Sequence, residues 1–207
     1  MNKKFVITIA RGYGSGGRTI GKMLSEDLGI PYYDRELLRL ASDDSGINEQ
    51  LFAKADEKLK KSLLFRVAKN IYKGELIPPD SDDFVSNDNL FNYQAKIIKE
   101  LANTESCIII GRCADFVLKD YDNVIKVFVH APLKDCIKTL KDMTGKPEKE
   151  IEKQIYSIDK HRAEYYKYYT GRNWDDAKNY DLCLNSSQLG FEKCVEIVKA
   201  YMDIRFR

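Results

Sequence analysis

The stretch "VITIARGYGSGGRTIGKMLSEDLG", residues 6–29, passes from an apolar run through five glycines between residues 12 and 21 into an amphipathic pattern. A strand that turns through glycine into a helix leaves the first N–H groups of the helix unpaired. It also sets the positive end of the helix dipole at the turn, and the two effects together bind anionic oxygens. Two phosphate-binding patterns fit the same residues. Gly12, Gly14 and Gly17 spell G-x-G-x-x-G, with Asp34 about 20 residues on, where dinucleotide sites carry a ribose-binding acid. Read from Gly12 to Thr19, the stretch is instead G-x-x-x-x-G-Arg-Thr, a mononucleotide phosphate loop with arginine in place of lysine. In that reading Gly12, Tyr13, Gly14, Ser15, Gly16 and Gly17 wrap the phosphates, Arg18 follows the transferred group and Thr19 offers its hydroxyl to Mg²⁺. Arginine keeps the charge but is planar and bulkier, so the exchange is not a conservative one.

The remainder of the chain decides between the patterns. Short apolar runs at 5–10, 30–33, 107–111, 124–129 and 180–185 alternate with longer helical patterns. Continuous apolar strands separated by helices imply an α/β fold with a five-stranded parallel sheet covered on both faces, whose ligands lie beyond the carboxyl ends of the strands. Between Asp34 and residue 107 lie more than 70 residues. They read as several helices broken by "GELIPPDSDDFVSND", whose prolines and acids suggest an exposed loop. A dinucleotide half-domain returns after one helix, so the long insertion favours the mononucleotide reading.

Two further clusters carry chemistry. "IIIGRCAD" ends a strand with glycine and sets Arg112 at the mouth of the sheet, where a guanidinium can grip phosphate oxygens; Asp115 is the nearby carboxylate that could meet a metal-bound water. "YSIDKHRAEYYKYYTGRNWDD" reads as a helix ending at Gly171. Its Asp159 and Arg162 lie three residues apart, and with Arg172 they could close over bound phosphates and exclude water. Tyr165, Tyr166, Tyr168 and Tyr169 read as packing residues rather than base-stacking ones.

Composition bounds the remaining choices. Thirty-four basic and 32 acidic side chains among 207 residues give a net charge of +2, too balanced for a nucleic-acid binder, and no basic stripe interleaved with aromatics is evident. No apolar run approaches the roughly 20 residues that span a bilayer, and Lys3-Lys4 leads only into a short apolar strand, so the expectation is a cytoplasmic protein without a membrane partner. Five cysteines without C-x-x-C spacing argue against a zinc site or disulfide framework. Cys107, Cys136, Cys183 and Cys194 are expected to be small buried hydrophobes.

With the three clusters in this order, the chain resembles the nucleoside monophosphate kinases, most closely the cytidylate kinase-like branch. The resemblance runs through residues 7–38, 108–140 and 158–190, about half the chain. It implies a three-layer P-loop kinase fold in one domain, with a core of about 1–40 and 105–207, a helical acceptor-binding insertion of about 41–104 and a lid of about 147–178. It implies ATP and Mg²⁺ as donor and cofactor, small-molecule nucleotides as partners, and CMP or dCMP as acceptor. By position, residues 12–19 resemble the donor phosphate loop, Asp34 and Arg35 the acceptor entrance, Arg112 an acceptor-phosphate arginine, and Asp159 and Arg162 the lid's Asp-x-x-Arg. Arg18 for lysine and Cys113 for the aspartate of Gly-Arg-Asp depart from the family pattern. Two other readings stay open: a nucleotide-binding module without efficient transfer, and a dinucleotide-dependent enzyme with Asp34 on ribose.

Overall fold

The computed structural model describes residues 4–58, 75–81 and 83–207. Five strands, β1 (Val6–Arg11), β2 (Tyr32–Tyr33), β3 (Cys107–Ile110), β4 (Val124–His130) and β5 (Leu182–Asn185), form one sheet in the order β2-β3-β1-β4-β5. Every pairing is parallel, and β1 lies at the centre, in register Ile7 with Ile108 on one side and with Ile125 on the other. This order removes the dinucleotide alternative. The dinucleotide fold pairs its first strand with its second, whereas here β3 occupies that place and β2 is pushed to the edge.

Strand alternation divides the core into two layers. Ile7, Ile9, Ile108, Ile110, Ile125 and Val127 face Ile20 and Leu24 of α1 (Gly17–Leu28) and Val195 and Val198 of α8 (Ser186–Arg205). On the opposite face, Val6, Cys107, Ile109 and Val124 pack with α2 (Glu36–Ser45), α3 (Glu49–Lys58), α4 (Asn87–Thr104), the short α5 (Ala114–Val117) and α7 (Glu148–Thr170). Because both faces are covered, the central strand is apolar almost throughout and Ile7 and Ile9 are fully buried, each contributing about 1.5–3 kcal/mol of transfer free energy. A smaller cluster of Cys136, Leu140, Ile151 and Ile155 joins α6 (Leu133–Thr144) to α7.

The tyrosines of α7 pack as expected. Tyr166 and Tyr169 are buried, Phe91 stacks on Tyr169 at 3.9 Å, and the Tyr168 hydroxyl donates to Asp88 at 3.0 Å, tying α7 to α4. Buried Asn89 of α4 accepts from the Ile77 N–H at 2.8 Å and donates to Phe84 O at 2.8 Å, which fastens part of the proline-rich segment to the helix. The helical pattern expected across residues 47–73 is observed from Glu49 to Lys58 and lies beyond that outside the described residues. One cysteine departs from expectation: Cys183 is exposed. It sits on edge strand β5, while its neighbour Leu184 turns into the core. Among the described residues, no helix is long and apolar enough to cross a membrane.

Gly21 lets α1 approach the sheet closely. A Cβ there would stand 2.8 Å from Ile110, 3.0 Å from Tyr32 and 3.3 Å from Ile9. Gly21→Val should therefore destabilise the protein by about 1–3 kcal/mol despite removing a helical glycine, read as a lower urea midpoint at unchanged slope.

Candidate active site

The carboxyl ends of β1 and β3 meet the glycine loop. Gly16, with φ 79, caps α1 in the left-handed region, and no side chain caps the first turn. A Cβ at Gly16 would overlap the Phe191 ring, so the position requires glycine twice over. Buried Ser15 shapes the loop, its Oγ lying 2.9 Å from Gly12 O and 3.0 Å from Val129 O, while Ser186 Oγ donates to Ser15 O at 2.7 Å. Thr19 is exposed in the first turn of α1.

β3 ends in a second unusual backbone. Gly111, Arg112 and Cys113 have φ values of 71, 57 and 54, three left-handed residues in succession, two of them with side chains. Each non-glycine residue there costs on the order of 1–3 kcal/mol, a strain that surrounding structure must hold. The result turns Arg112 back across the sheet mouth, where its Nη1 donates to Gln94 Oε1 at 3.0 Å and its Nε approaches the Asp34 carbonyl at 3.5 Å.

Helix α7 supplies the third side. Asp159 accepts from the Tyr13 N–H with both oxygens, at 2.9 and 3.1 Å, and Arg162 donates to Asp159 Oδ1 at 2.9 Å and to Arg11 O at 3.0 Å. The Arg162 guanidinium also lies 5.6 Å from the centre of the Tyr13 ring. Burial pushes the Asp159 carboxyl up, against the pull of Arg162 and the Tyr13 N–H, and burial pushes Arg162 down. Asp34 pairs with Arg18 at 2.7 Å, with Arg11 at 3.9 Å.

These groups surround a cavity of about 200 Å³ whose charged lining is four arginines, 11, 18, 112 and 162, against two aspartates, 34 and 115. Aromatic side chains, Tyr165, Tyr166 and Trp174, complete it beside His161 and Cys113. Of the residues singled out in the sequence, Arg18, Asp34, Arg112, Asp115 and Arg162 thus converge on one space, with Asp159 bonded to Arg162 at its border. Arg35 and Arg172 are exposed outside that lining, and the Arg172 guanidinium lies 5.3 Å from the centre of the Phe116 ring. Asp115 reaches the cavity from a buried position, and Tyr166 donates to its carboxylate at 2.6 Å. Burial outweighs that bond and raises Asp115 to about 6, while burial and the adjacent carboxylate push the Tyr166 phenol far up.

Sequence reasoning missed three members of this arrangement. Arg11 ends an apolar strand and carries no motif of its own; its burial depends on what lies across the sheet. Tyr166 read as packing only. Gln94 left a signal, a polar residue that interrupts the apolar face of "NLFNYQAKIIKEL", and it is almost fully buried beneath Arg112.

A parallel sheet of this order with a glycine loop after its central strand and arginines at its mouth defines a P-loop kinase fold. A shikimate kinase from Bacteroides thetaiotaomicron shares it at TM-score 0.53 and 15% identity, over 96% of this chain and 98% of that one. A nearer structural match, an uncharacterized protein from Eubacterium ventriosum, superposes at TM-score 0.73 with 27% identity over 97% of this chain and 99% of that one. The chain belongs to the cytidylate kinase-like family, whose model matches residues 6–188. It is similar to the cytidylate kinase of Pyrococcus horikoshii, with 24% identity over 201 residues, 97% of this chain and 89% of that protein. Membership makes the chain a kinase and does not name its acceptor.

Asp115 gives the site a pH signature. Its folded value of about 6 stands above the ordinary 3.8, so the folded state binds this proton more tightly than the unfolded one. The stability it contributes is full below about pH 4 and is lost as pH rises through 6, an effect of up to about 3 kcal/mol. Asp115→Asn keeps an acceptor for the Tyr166 hydroxyl without the charge. Urea unfolding at pH 4 and pH 7 should therefore show the wild type losing more stability over that interval than the variant, and equal losses would contradict the assignment.

Proposed function

We propose that this protein transfers the γ-phosphoryl group of ATP to a nucleoside monophosphate, with CMP or dCMP the first candidate acceptor. The observation that carries this reading is the excess of guanidinium over carboxylate in one cavity beside an uncapped phosphate loop, in a chain of the cytidylate kinase-like family. Four arginines facing two aspartates repel one another unless polyanions occupy the space between them. Two phosphorylated substrates supply that charge.

In this reading the loop Gly12–Thr19 holds the donor phosphates, with Arg18 able to exchange its Asp34 partner for the γ-phosphoryl oxygens. Arg112, propped by Gln94, holds the acceptor phosphate, and Asp34 with Arg35 forms the acceptor's entrance. Asp159 and Arg162 join α7 to the loop, and Arg172 lies beyond them at the helix end. We assign residues 41–104 to the acceptor side and residues 147–178 to a lid over the phosphates. An acceptor phosphate oxygen forms a bond to Pγ as the bond from Pγ to the bridging oxygen breaks, leaving ADP. Such a transfer needs alignment and charge stabilisation rather than a covalent catalyst, which is what arginines can provide.

Mg²⁺ fits these residues in the manner of a phosphate-carried ion. It keeps most of its waters, takes one or two protein oxygens and neutralises charge between phosphates. The exposed Thr19 hydroxyl at the start of α1 would be that oxygen.

The Arg18–Asp34 pair at 2.7 Å also favours a second reading, a module that binds nucleotide without efficient transfer because its one loop cation is held by a carboxylate. ADP release from ATP and Mg²⁺ across a panel of nucleoside monophosphates separates the two. Selective turnover with CMP or dCMP is expected, reduced about 10²–10³-fold in Arg18→Ala at unchanged thermal stability. ATP that protects against unfolding while no monophosphate is turned over would establish the binding module instead.

A further inference from the structure

Arg11 is the arginine that no motif assigns, and it is more deeply enclosed than Arg18 or Arg162. Its side chain is 14% exposed, against 50% for Arg18 and 20% for Arg162. Its Nε is buried without a hydrogen-bond partner among the described residues. The carboxylate in reach, Asp34, stands 3.9 Å from Nη2, too far for a hydrogen bond, and turns its other oxygen to Arg18 at 2.7 Å. Around Arg11 the remaining charges are repulsive: Arg162, Arg18 and Arg112 all disfavour its protonated form. Burial is the largest influence and lowers it to about 9, which still leaves the guanidinium charged at neutral pH.

The two loops are shaped around this side chain. A Cβ at Gly111 would overlap Arg11 Nη1, and a Cβ at Gly17 would stand 2.5 Å from Arg11 Cβ. Both the phosphate loop and the turn after β3 thus lack side chains where Arg11 passes between them. A buried cation whose pairing is incomplete costs several kcal/mol, and a purely structural arginine would be expected to have its donors satisfied. Here the residue lines an open cavity.

We infer that Arg11 is a phosphate ligand, its buried guanidinium donating to phosphate oxygens in the cavity between the glycine loop and the Gly111–Arg112 turn. The inference rests on the phosphoryl-transfer reading for the identity of the anion and adds to it a residue contributed by the central strand. Arg11 is then a catalytic residue in the strict sense, touching the phosphates between donor and acceptor. Its main-chain oxygen meanwhile receives Arg162 at 3.0 Å, so one residue aligns two guanidinium groups.

The test is calorimetric titration of inorganic pyrophosphate, and separately of ATP with Mg²⁺, into wild type, Arg11→Met and Arg11→Lys, with the unfolding midpoint of each measured without ligand. Arg11→Met should weaken pyrophosphate binding at least tenfold while its unliganded midpoint equals or exceeds that of the wild type, because the variant removes an under-paired buried charge. Arg11→Lys, which retains charge but has no Nε fork, should fall between them. A structural arginine gives the reverse pattern, a lower midpoint with unchanged affinity, and that result overturns the inference while leaving the kinase reading intact. Should Arg11→Met fail to fold, an Arg11→Lys affinity equal to wild type overturns it and a reduced one supports it. Wild type that binds neither pyrophosphate nor ATP overturns both the inference and the reading it rests on.

Discussion

Mutual repulsion among four guanidinium groups governs the architecture at the sheet mouth. Arg11, Arg18, Arg112 and Arg162 come from β1, α1, the turn after β3 and α7, and all but Arg11 are steadied by a close partner. Asp34 holds Arg18, Gln94 holds Arg112, and Asp159 holds Arg162. Charges of one sign can be collected in a small space only if the backbone carrying them is rigid. The central position of β1, paired on both sides and buried on both faces, supplies that rigidity.

The same constraint accounts for the unusual backbone around the cavity. The left-handed sequence Gly111-Arg112-Cys113 spends local stability to bring one arginine back over the sheet, and the following turn is held by the Ala114 N–H to Gly111 O bond at 3.0 Å and the Phe116 N–H to Cys113 O bond at 2.9 Å. Loop and helix are joined in a similar way, since the Tyr13 N–H, exposed by the turn, meets the Asp159 carboxylate rather than a backbone carbonyl. The arrangement ties α7 to the glycine loop through Asp159 and to the end of β1 through Arg162.

Much of the site was legible because its signals are short-range. Glycines in a strand-to-helix turn, an arginine after a strand-end glycine, and an aspartate and arginine three residues apart on one helix are patterns that backbone geometry imposes over a few residues. Arg18, Asp34, Arg112, Asp159 and Arg162 were singled out from such local signals, and the cavity they border or share joins segments up to about 150 residues apart, as in the Arg162 to Arg11 O contact. Arg11, Gln94 and Tyr166 were not singled out. Each owes its place to a partner in a distant segment, and neither local periodicity nor composition carries that information.

The sequence by itself determined the parallel α/β class, the five strands and the phosphate loop, because alternation, apolar runs and turn chemistry act within one element and its immediate neighbours. Tertiary structure alone decided the strand order, and with it the exclusion of a dinucleotide site, since pairing β1 with β3 depends on how more than 70 intervening residues fold back. It likewise decided that Cys183 is exposed on an edge strand and that Asp115 is enclosed with Tyr166. Burial and pairing belong to neighbourhoods in space: the same arginine is a surface charge or an enclosed cation according to which glycines lie across from it.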